Sequence, residues 1–229
     1  MTGLTLSRIR LKRDASVAAL APLLLPEAGG ARMVAGHGLL WSLFADGPDR
    51  RRDFLWREDA PGQFMTLSAR APSNPHQLFQ IESKDFAPAL SPGDRLGFTL
   101  RANPVISRSA GPGQRGRRHD VVMDALHSVP RGERAEARPA AVSAAGRAWF
   151  DRQGATSGFA VEGEVNVDGY DRISLPREGG RDRAAIFGVL DLTGILVVRD
   201  VALFLPALAA GFGRARAFGY GLMLIRRAG

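Results

Sequence analysis

The sequence predicts an α+β fold built from two tandem ferredoxin-like (RRM-like, βαββαβ) domains, residues 1–90 and 94–229. Three observations lead there. The order strand, helix, strand, strand, short element, strand runs from residue 4 to 83, and a similar order begins again after a turn at Ser91-Pro92-Gly93-Asp94. The opening stretch Leu4-Thr5-Leu6-Ser7-Arg8-Ile9-Arg10-Leu11 alternates with period two, as a strand with one apolar face does. A chain of 229 residues with 45% hydrophobic content can bury one large core or two small ones. No internal sequence repeat accompanies the two halves, so the division rests on element order.

After the first strand, Pro22, Pro26, Gly29 and Gly30 mark a loop. From Met33 to Phe44 the apolar residues fall at helical spacing, and Asp46-Gly47-Pro48-Asp49 stops the helix. Residues 53–58 and 63–69 read as a hairpin joined across Pro61-Gly62, with a further strand near Leu78 to Ser83. In the second half a strand is expected at 95–106, then a long polar segment rich in glycine and arginine, then a helix from Ala140 to Phe150. Strands at 157–168 and 184–197 flank Arg172 to Arg183. A helix over Asp200 to Ala210 follows, which Pro206 kinks or shortens, and the last strand is 218–226.

The formal net charge is +8, and Lys12 and Lys84 are the only lysines, so nearly all the positive charge is arginine. A genomic preference for arginine codons would explain the ratio but not the excess of charge. The guanidinium fork pairs with phosphate at two points and stacks on bases, so this balance favours an anionic polymer as partner. With no cysteine, disulfide frameworks and thiolate metal sites are excluded, which fits a reducing compartment. No apolar run approaches the ~20 residues of a membrane span. Basic residues do precede an apolar stretch from Val17 to Leu25. However, Asp14 interrupts the charge, Pro22 breaks the apolar run, and residues 4–11 read as a strand. The expected location is the cytoplasm, with no membrane partner.

Four groups of residues could carry chemistry. Near the C-terminus, Gly211-Phe212-Gly213-Arg214-Ala215-Arg216-Ala217-Phe218-Gly219-Tyr220-Gly221 sets Gly211, Gly213, Gly219 and Gly221 around two arginines, ahead of the apolar run Leu222-Met223-Leu224-Ile225. Glycines let backbone amides approach a phosphate, and Arg214 and Arg216 add fixed charge. The spacing matches neither a Walker loop nor a dinucleotide fingerprint. His37, between Gly36 and Gly38, has the side-chain type whose pKa suits proton transfer near neutrality. It also shares a helical face with Leu40, Trp41 and Phe44, as a half-buried core histidine would. Arg115, Arg117, Arg118 and His119 sit among Gly111, Gly113 and Gly116 in a cationic segment able to wrap phosphate or remain a solvated loop. Arg172, Arg177, Arg181 and Arg183 surround Pro176 and Gly179-Gly180 at the tip of an expected hairpin. Asp120, Asp124 and His127 would share a helical face, and could hold an oxygen–nitrogen metal site; carboxylates four apart are more often a solvated helix face, and no metal or cofactor is assigned.

The glycine-rich loop resembles that of the CRISPR repeat-processing endoribonucleases, and further stretches resemble the CasE branch that serves the type I-E Cascade. These are His37-Gly38-Leu39-Leu40-Trp41-Ser42-Leu43-Phe44, Arg52-Asp53-Phe54-Leu55-Trp56-Arg57, Leu100-Arg101-Ala102-Asn103-Pro104 and Arg117-Arg118-His119-Asp120-Val121-Val122, in order over nearly the whole chain. The resemblance implies metal-independent cleavage of CRISPR precursor RNA at the base of each repeat hairpin by 2′-OH attack, with His37 as general acid or base. It also implies arginine clusters on the RNA stem, the 172–183 hairpin in its groove, retention of the product's 3′ hairpin, and a place in Cascade for a protein that is a monomer when isolated. One departure stands out: relatives often carry a tyrosine three residues before the histidine, where this chain has Val34. Tyr220, Ser42 or an arginine could replace it. The alternatives are a non-catalytic hairpin-RNA-binding scaffold and a metal-dependent nuclease built on Asp120, Asp124 and His127.

Overall fold

A computed structural model describes residues 3–228 apart from 48, 110, 112, 115 and 177–184. It contains two four-stranded antiparallel sheets and a two-stranded ribbon. In the first sheet, β1 (Leu4–Leu11) is followed by helices α1 (Ala15–Leu24) and α2 (Gly29–Trp41), then β2 (Phe54–Ala60), β3 (Gln63–Ser68) and β4 (Phe79–Phe86). The strands lie side by side as β2-β3-β1-β4. Alternation along β1 decides its faces: Ile9, opposite Phe64 of β3 and Ile81 of β4, packs on α2 with Leu40, Phe44, Phe54 and Trp56. The opposite face carries Leu55 and Leu67, which meet Leu222 of the second half in a separate apolar seam.

The second sheet contains β5 (Arg95–Ala102), β8 (Phe159–Ser174), β9 (Ile186–Val198) and β10 (Met223–Arg227), in the order β10-β5-β9-β8. Helices α4 (Arg134–Ser157) and α5 (Val201–Ala210) cover one face, where Phe98, Leu100, Phe150, Leu192 and Phe204 form the largest core. Taken in order of appearance, the four strands of each sheet are arranged 2-3-1-4 or its reverse, so the halves share a strand order without sharing a sequence. Between β5 and α4 the chain forms a ribbon of β6 (Val105–Arg108) and β7 (Arg117–Asp120) and a short helix α3 (Val121–Ala125).

Several boundaries differ from the sequence expectation, each for a local reason. The expected loop around Pro22 is helix α1; Asp14 caps it by accepting from the Val17 amide, and Pro22 falls in its last turn. Helix α2 starts at Gly29 and ends at Trp41, earlier at both ends than the apolar spacing indicated, with turn bonds carrying the chain through Phe44. The expected strand 95–106 ends at Ala102, beyond which Asn103 and Pro104 divert the chain into the ribbon. Helix α4 extends well beyond 140–150, because its first turns are polar and Gly158, in the left-handed conformation, ends it. The last strand begins at 223: residues 216–218 form a 3₁₀ turn of the glycine-rich loop.

Candidate active site

Helix α2 carries His37 on the side facing the second half. One residue earlier, Gly36 lies against the indole of Trp56, at a spacing that leaves no room for a larger side chain without movement. Trp56 is fully buried, and its Nε1–H donates to the carbonyl of Ala217 at 3.0 Å. A side chain of the first sheet thereby holds the glycine-rich loop by its middle. Gly219, at φ +88°, lays its backbone on the same indole. Phe218 then stands 6.3 Å from the His37 ring, centroid to centroid, with Trp41 on the other side at 6.0 Å. The structure therefore brings His37 and the 211–221 loop together.

Gly211, Gly213, Gly219 and Gly221 all have positive φ, as does Ala215 at 52°. Much of the loop's hydrogen bonding is internal to the protein. The amide of Phe212 donates to Gly221, that of Arg214 to Asn103, that of Phe218 to Ala215 and that of Gly221 to Arg101. The first role of the glycines is thus to fold the loop tightly between the two sheets, and these four amides are not available to a phosphate. Arg214 is exposed. Arg216 is half-buried, and its Nη1 donates to the carbonyls of Ala210 and Gly211, capping the C-terminal end of α5.

The electrostatics of the pocket are one-sided. His37 has its pKa lowered, by burial first and then by the positive charge of Arg52. Arg52 in turn is lowered by its own burial and by Arg216. Among the described residues, neither His37 Nδ1 nor Arg52 Nη1 has a hydrogen-bond partner, although both atoms are shielded from solvent. Arg52 lies two residues ahead of β2, where its charge acts on His37 of α2. The neighbouring carboxylate, Asp53, is engaged by Arg70 at 2.8 Å. Sequence reasoning quoted Arg52 but did not assign it a role, because nothing local separates it from Arg50 and Arg51.

Of the groups suggested as replacements for a phenol at Val34, Tyr220 is buried and Ser42 is engaged locally. The Tyr220 ring is edge-on to Phe187 at 5.6 Å and its hydroxyl is pushed up to about 12, chiefly by burial. Ser42 Oγ donates to the Leu39 carbonyl at 2.7 Å.

The remaining basic residues lie on the second half. Arg117, Arg118 and His119 are exposed on β7, and Arg172 is exposed on β8 opposite Gly188. Arg115, Arg177, Arg181 and Arg183 lie outside the described residues. The ribbon is tied to the sheet by Tyr170, whose hydroxyl donates to Asp120 Oδ1 at 3.0 Å and has its pKa raised, first by burial and then by the Asp120 charge. Arg138 of α4 is exposed, and its charge acts with that of Arg172 on the same tyrosine. At the far end of β8, the carbonyl of Ser174 packs directly on Gly30, in the first turn of α2. The carboxylates of the supposed metal site are committed elsewhere: Asp120 caps α3 through the Val122 and Met123 amides, and Asp124 pairs with Arg108 at 2.5 Å. Among the described residues no group of three His, Asp or Glu is arranged to hold a metal ion.

A family profile described as CRISPR associated protein matches residues 4–227. The structure is similar to CRISPR endoribonuclease Cse3 bound to a 19-nucleotide RNA, with 25% identity over 98% of this chain and 99% of that one and a TM-score of 0.68. The fold is also that of the CRISPR-associated protein Cas6e from Escherichia coli K-12 (19% identity, 98% and 100% covered, TM-score 0.55). A chain of a CRISPR RNA-guided surveillance complex shares it as well (18% identity, 98% and 100% covered, TM-score 0.60). No curated protein matches the sequence. With the profile spanning nearly every residue and the structural likeness running end to end, this chain belongs to the CRISPR-associated protein family, and its structural match is to the Cse3/Cas6e endoribonucleases of the type I-E Cascade.

Proposed function

We propose that the protein is a metal-independent endoribonuclease that cuts CRISPR precursor RNA within the repeat, at the base of its stem-loop, and then keeps the mature 3′ hairpin in a Cascade-type complex in the cytoplasm. The observation that carries this reading is the meeting of His37 with the arginine-bearing glycine loop, in a pocket where the charges acting on His37 and Arg52 are positive. Such a pocket is completed by an anion. Each half is read as a ferredoxin-like domain, residues 1–90 and 94–229, with the active site in the seam between them.

The chemistry is a transesterification. The 2′-oxygen of the nucleotide before the cut attacks the adjacent phosphorus, a P–O2′ bond forms and the P–O5′ bond breaks. A proton leaves the 2′-OH and another reaches the 5′-oxygen, giving a 2′,3′-cyclic phosphate and a 5′-OH. With its pKa lowered, His37 rests as a neutral imidazole and can accept the first of these protons. Because Nδ1 is shielded from solvent, Nε2 is the nitrogen that meets the RNA. Arg117, Arg118, His119, Arg138 and Arg172 line the basic surface of the second half and bind the stem through its phosphates, which gives affinity without requiring the narrow major groove of regular A-form RNA to be read.

The absent phenol at Val34 favours a second reading, a scaffold that binds hairpin RNA without cutting it. Incubating the protein with hairpin repeat RNA in excess EDTA separates the two. Cleavage that persists in EDTA, disappears in His37→Ala and disappears when the scissile nucleotide is 2′-deoxy supports the enzyme; tight binding with no cleavage at any pH leaves the scaffold.

A further inference from the structure

We infer that Arg52 is a catalytic residue: its guanidinium contacts the scissile phosphate beside His37, and supplies the second group that Val34 leaves out. The inference rests on the reading of this pocket as the site of RNA cleavage.

Three observations point to Arg52 rather than to the arginines singled out by sequence. First, it is half-buried yet has no salt-bridge partner among the described residues, whereas its neighbours in the run are accounted for: Arg50 pairs with Asp46, and Arg51 is exposed. Second, the carboxylate that could neutralise it, Asp53, does not pair with it: Asp53 Oδ2 is bound by Arg70, which also reaches Asp46 and the Phe44 carbonyl, and Asp53 Oδ1 has no hydrogen-bond partner among the described residues. Third, its charge acts on His37 of α2 and the charge of Arg216 in the loop acts on it, so it lies within electrostatic reach of both parts of the site. A half-buried guanidinium with an orphaned Nη1 is costly in the free protein. A phosphate in the pocket offsets that cost by giving the guanidinium acceptors.

Arg216 is less suited to the task, because its Nη1 is already spent on the end of α5. Arg52 has no such engagement among the described residues. As the 2′-oxygen bonds to phosphorus, the non-bridging oxygens gain negative charge, and a fixed guanidinium beside them stabilises that charge without rearranging. In the free protein burial, and then the same charge, lower the His37 pKa; a bound phosphate screens Arg52 and makes the imidazole a stronger base at the moment it is needed.

The test compares Arg52→Gln, Arg52→Lys and His37→Ala on hairpin repeat RNA from the CRISPR array of the same genome. Single-turnover cleavage, binding of the RNA with a 2′-deoxy scissile nucleotide, and the NMR titration of His37 are all read. Arg52→Gln should slow cleavage by roughly 10²-fold while binding of the deoxy RNA weakens by less than about tenfold. It should also move the His37 titration upward and leave the melting temperature of the free protein unchanged or raised. Arg52→Lys keeps the charge, and should restore the His37 titration and part of the rate. Cleavage by Arg52→Gln within about threefold of wild type, with His37→Ala inactive, overturns the assignment of Arg52 and leaves the site standing. Slow cleavage accompanied by a lower melting temperature and an unmoved His37 titration makes Arg52 structural, and overturns it too. If His37→Ala cuts as wild type does, the reading of the pocket itself is wrong.

Discussion

Replacing Trp56 with phenylalanine isolates the contact that joins the two halves of the site. The substitution keeps an aromatic ring in the first core but removes the Nε1–H that reaches the Ala217 carbonyl across 161 residues of sequence. That carbonyl would be left without its donor in a part-buried position, at a cost of about 1–3 kcal/mol. The indole is fully buried beneath Gly36 and Gly219, so the smaller ring also leaves a gap. At about 24 cal/mol per Å³, a void of roughly 40 Å³ adds about 1 kcal/mol. Together these predict a loss of about 2–4 kcal/mol and a fall in melting temperature of roughly 5–12 °C. The catalytic consequence should exceed what stability alone requires, because the loop carrying Arg216 and Phe218 is then free to shift relative to His37. A displacement on the order of 1 Å costs about 10²-fold in rate. Thermal unfolding, followed by single-turnover cleavage well below the transition, measures both. A melting temperature within about 2 °C of wild type and an unchanged cleavage rate would refute the view that this hydrogen bond holds the site together.

Removing the imidazole in His37→Ala should reduce cleavage by about 10²–10⁴-fold while binding of uncleavable RNA stays near wild type; lost binding would make His37 a packing residue. The pH profile of the free enzyme should be level at neutrality and fall on acidification with a midpoint below 6.5, since burial and Arg52 both lower the His37 pKa. A rate that instead climbs on acidification would make the imidazole the acid. The same shift means that protonation favours the unfolded chain: the His37 contribution to stability is present above 6.5 and is lost as pH falls through the lowered folded-state value. Replacing both Arg117 and Arg118 by alanine should weaken RNA binding and make the salt slope shallower by about 2, in step with two lost phosphate contacts; an unchanged slope would place the RNA elsewhere. Tyr170→Phe should loosen the β6–β7 ribbon by removing its bond to Asp120, visible as faster amide exchange at 117–120 and weaker RNA binding with no change in the His37 titration.

Much of the fold was legible because it depends on short-range patterns. The first strand, Leu4–Leu11, was read to the residue, since one buried face forces alternation. The hairpin across Pro61-Gly62 and the positive-φ glycines of the C-terminal loop follow from turn chemistry that neighbouring residues dictate. Where the reading failed, a breaker signal or a missing apolar period misled it. Pro22 suggests a loop, yet the helix runs through it, with Asp14 capping the first turn and the Leu25 amide still reaching the Ala21 carbonyl beyond the proline. The start of α4 carries arginines, glutamates and Pro139, with no period to reveal a helix that packing on the second sheet completes.

The candidate site divides in the same way. From the order of residues alone come the strand order's raw material, the arginine-borne charge, the imidazole at position 37 and the glycine loop with its paired arginines. Which of these groups meet could come only from the folded chain. In the run Arg50-Arg51-Arg52, three identical side chains acquire three environments: one pairs with Asp46, one faces solvent, and one is half-buried, acts on His37 and has no partner among the described residues. The indole that fastens the loop, and the carbonyl it grips, lie in different halves of the chain. Period and propensity act over a few residues, whereas desolvation, charge pairing and hydrogen-bond satisfaction depend on every atom within a few ångströms. That neighbourhood is assembled only when the two sheets close on each other.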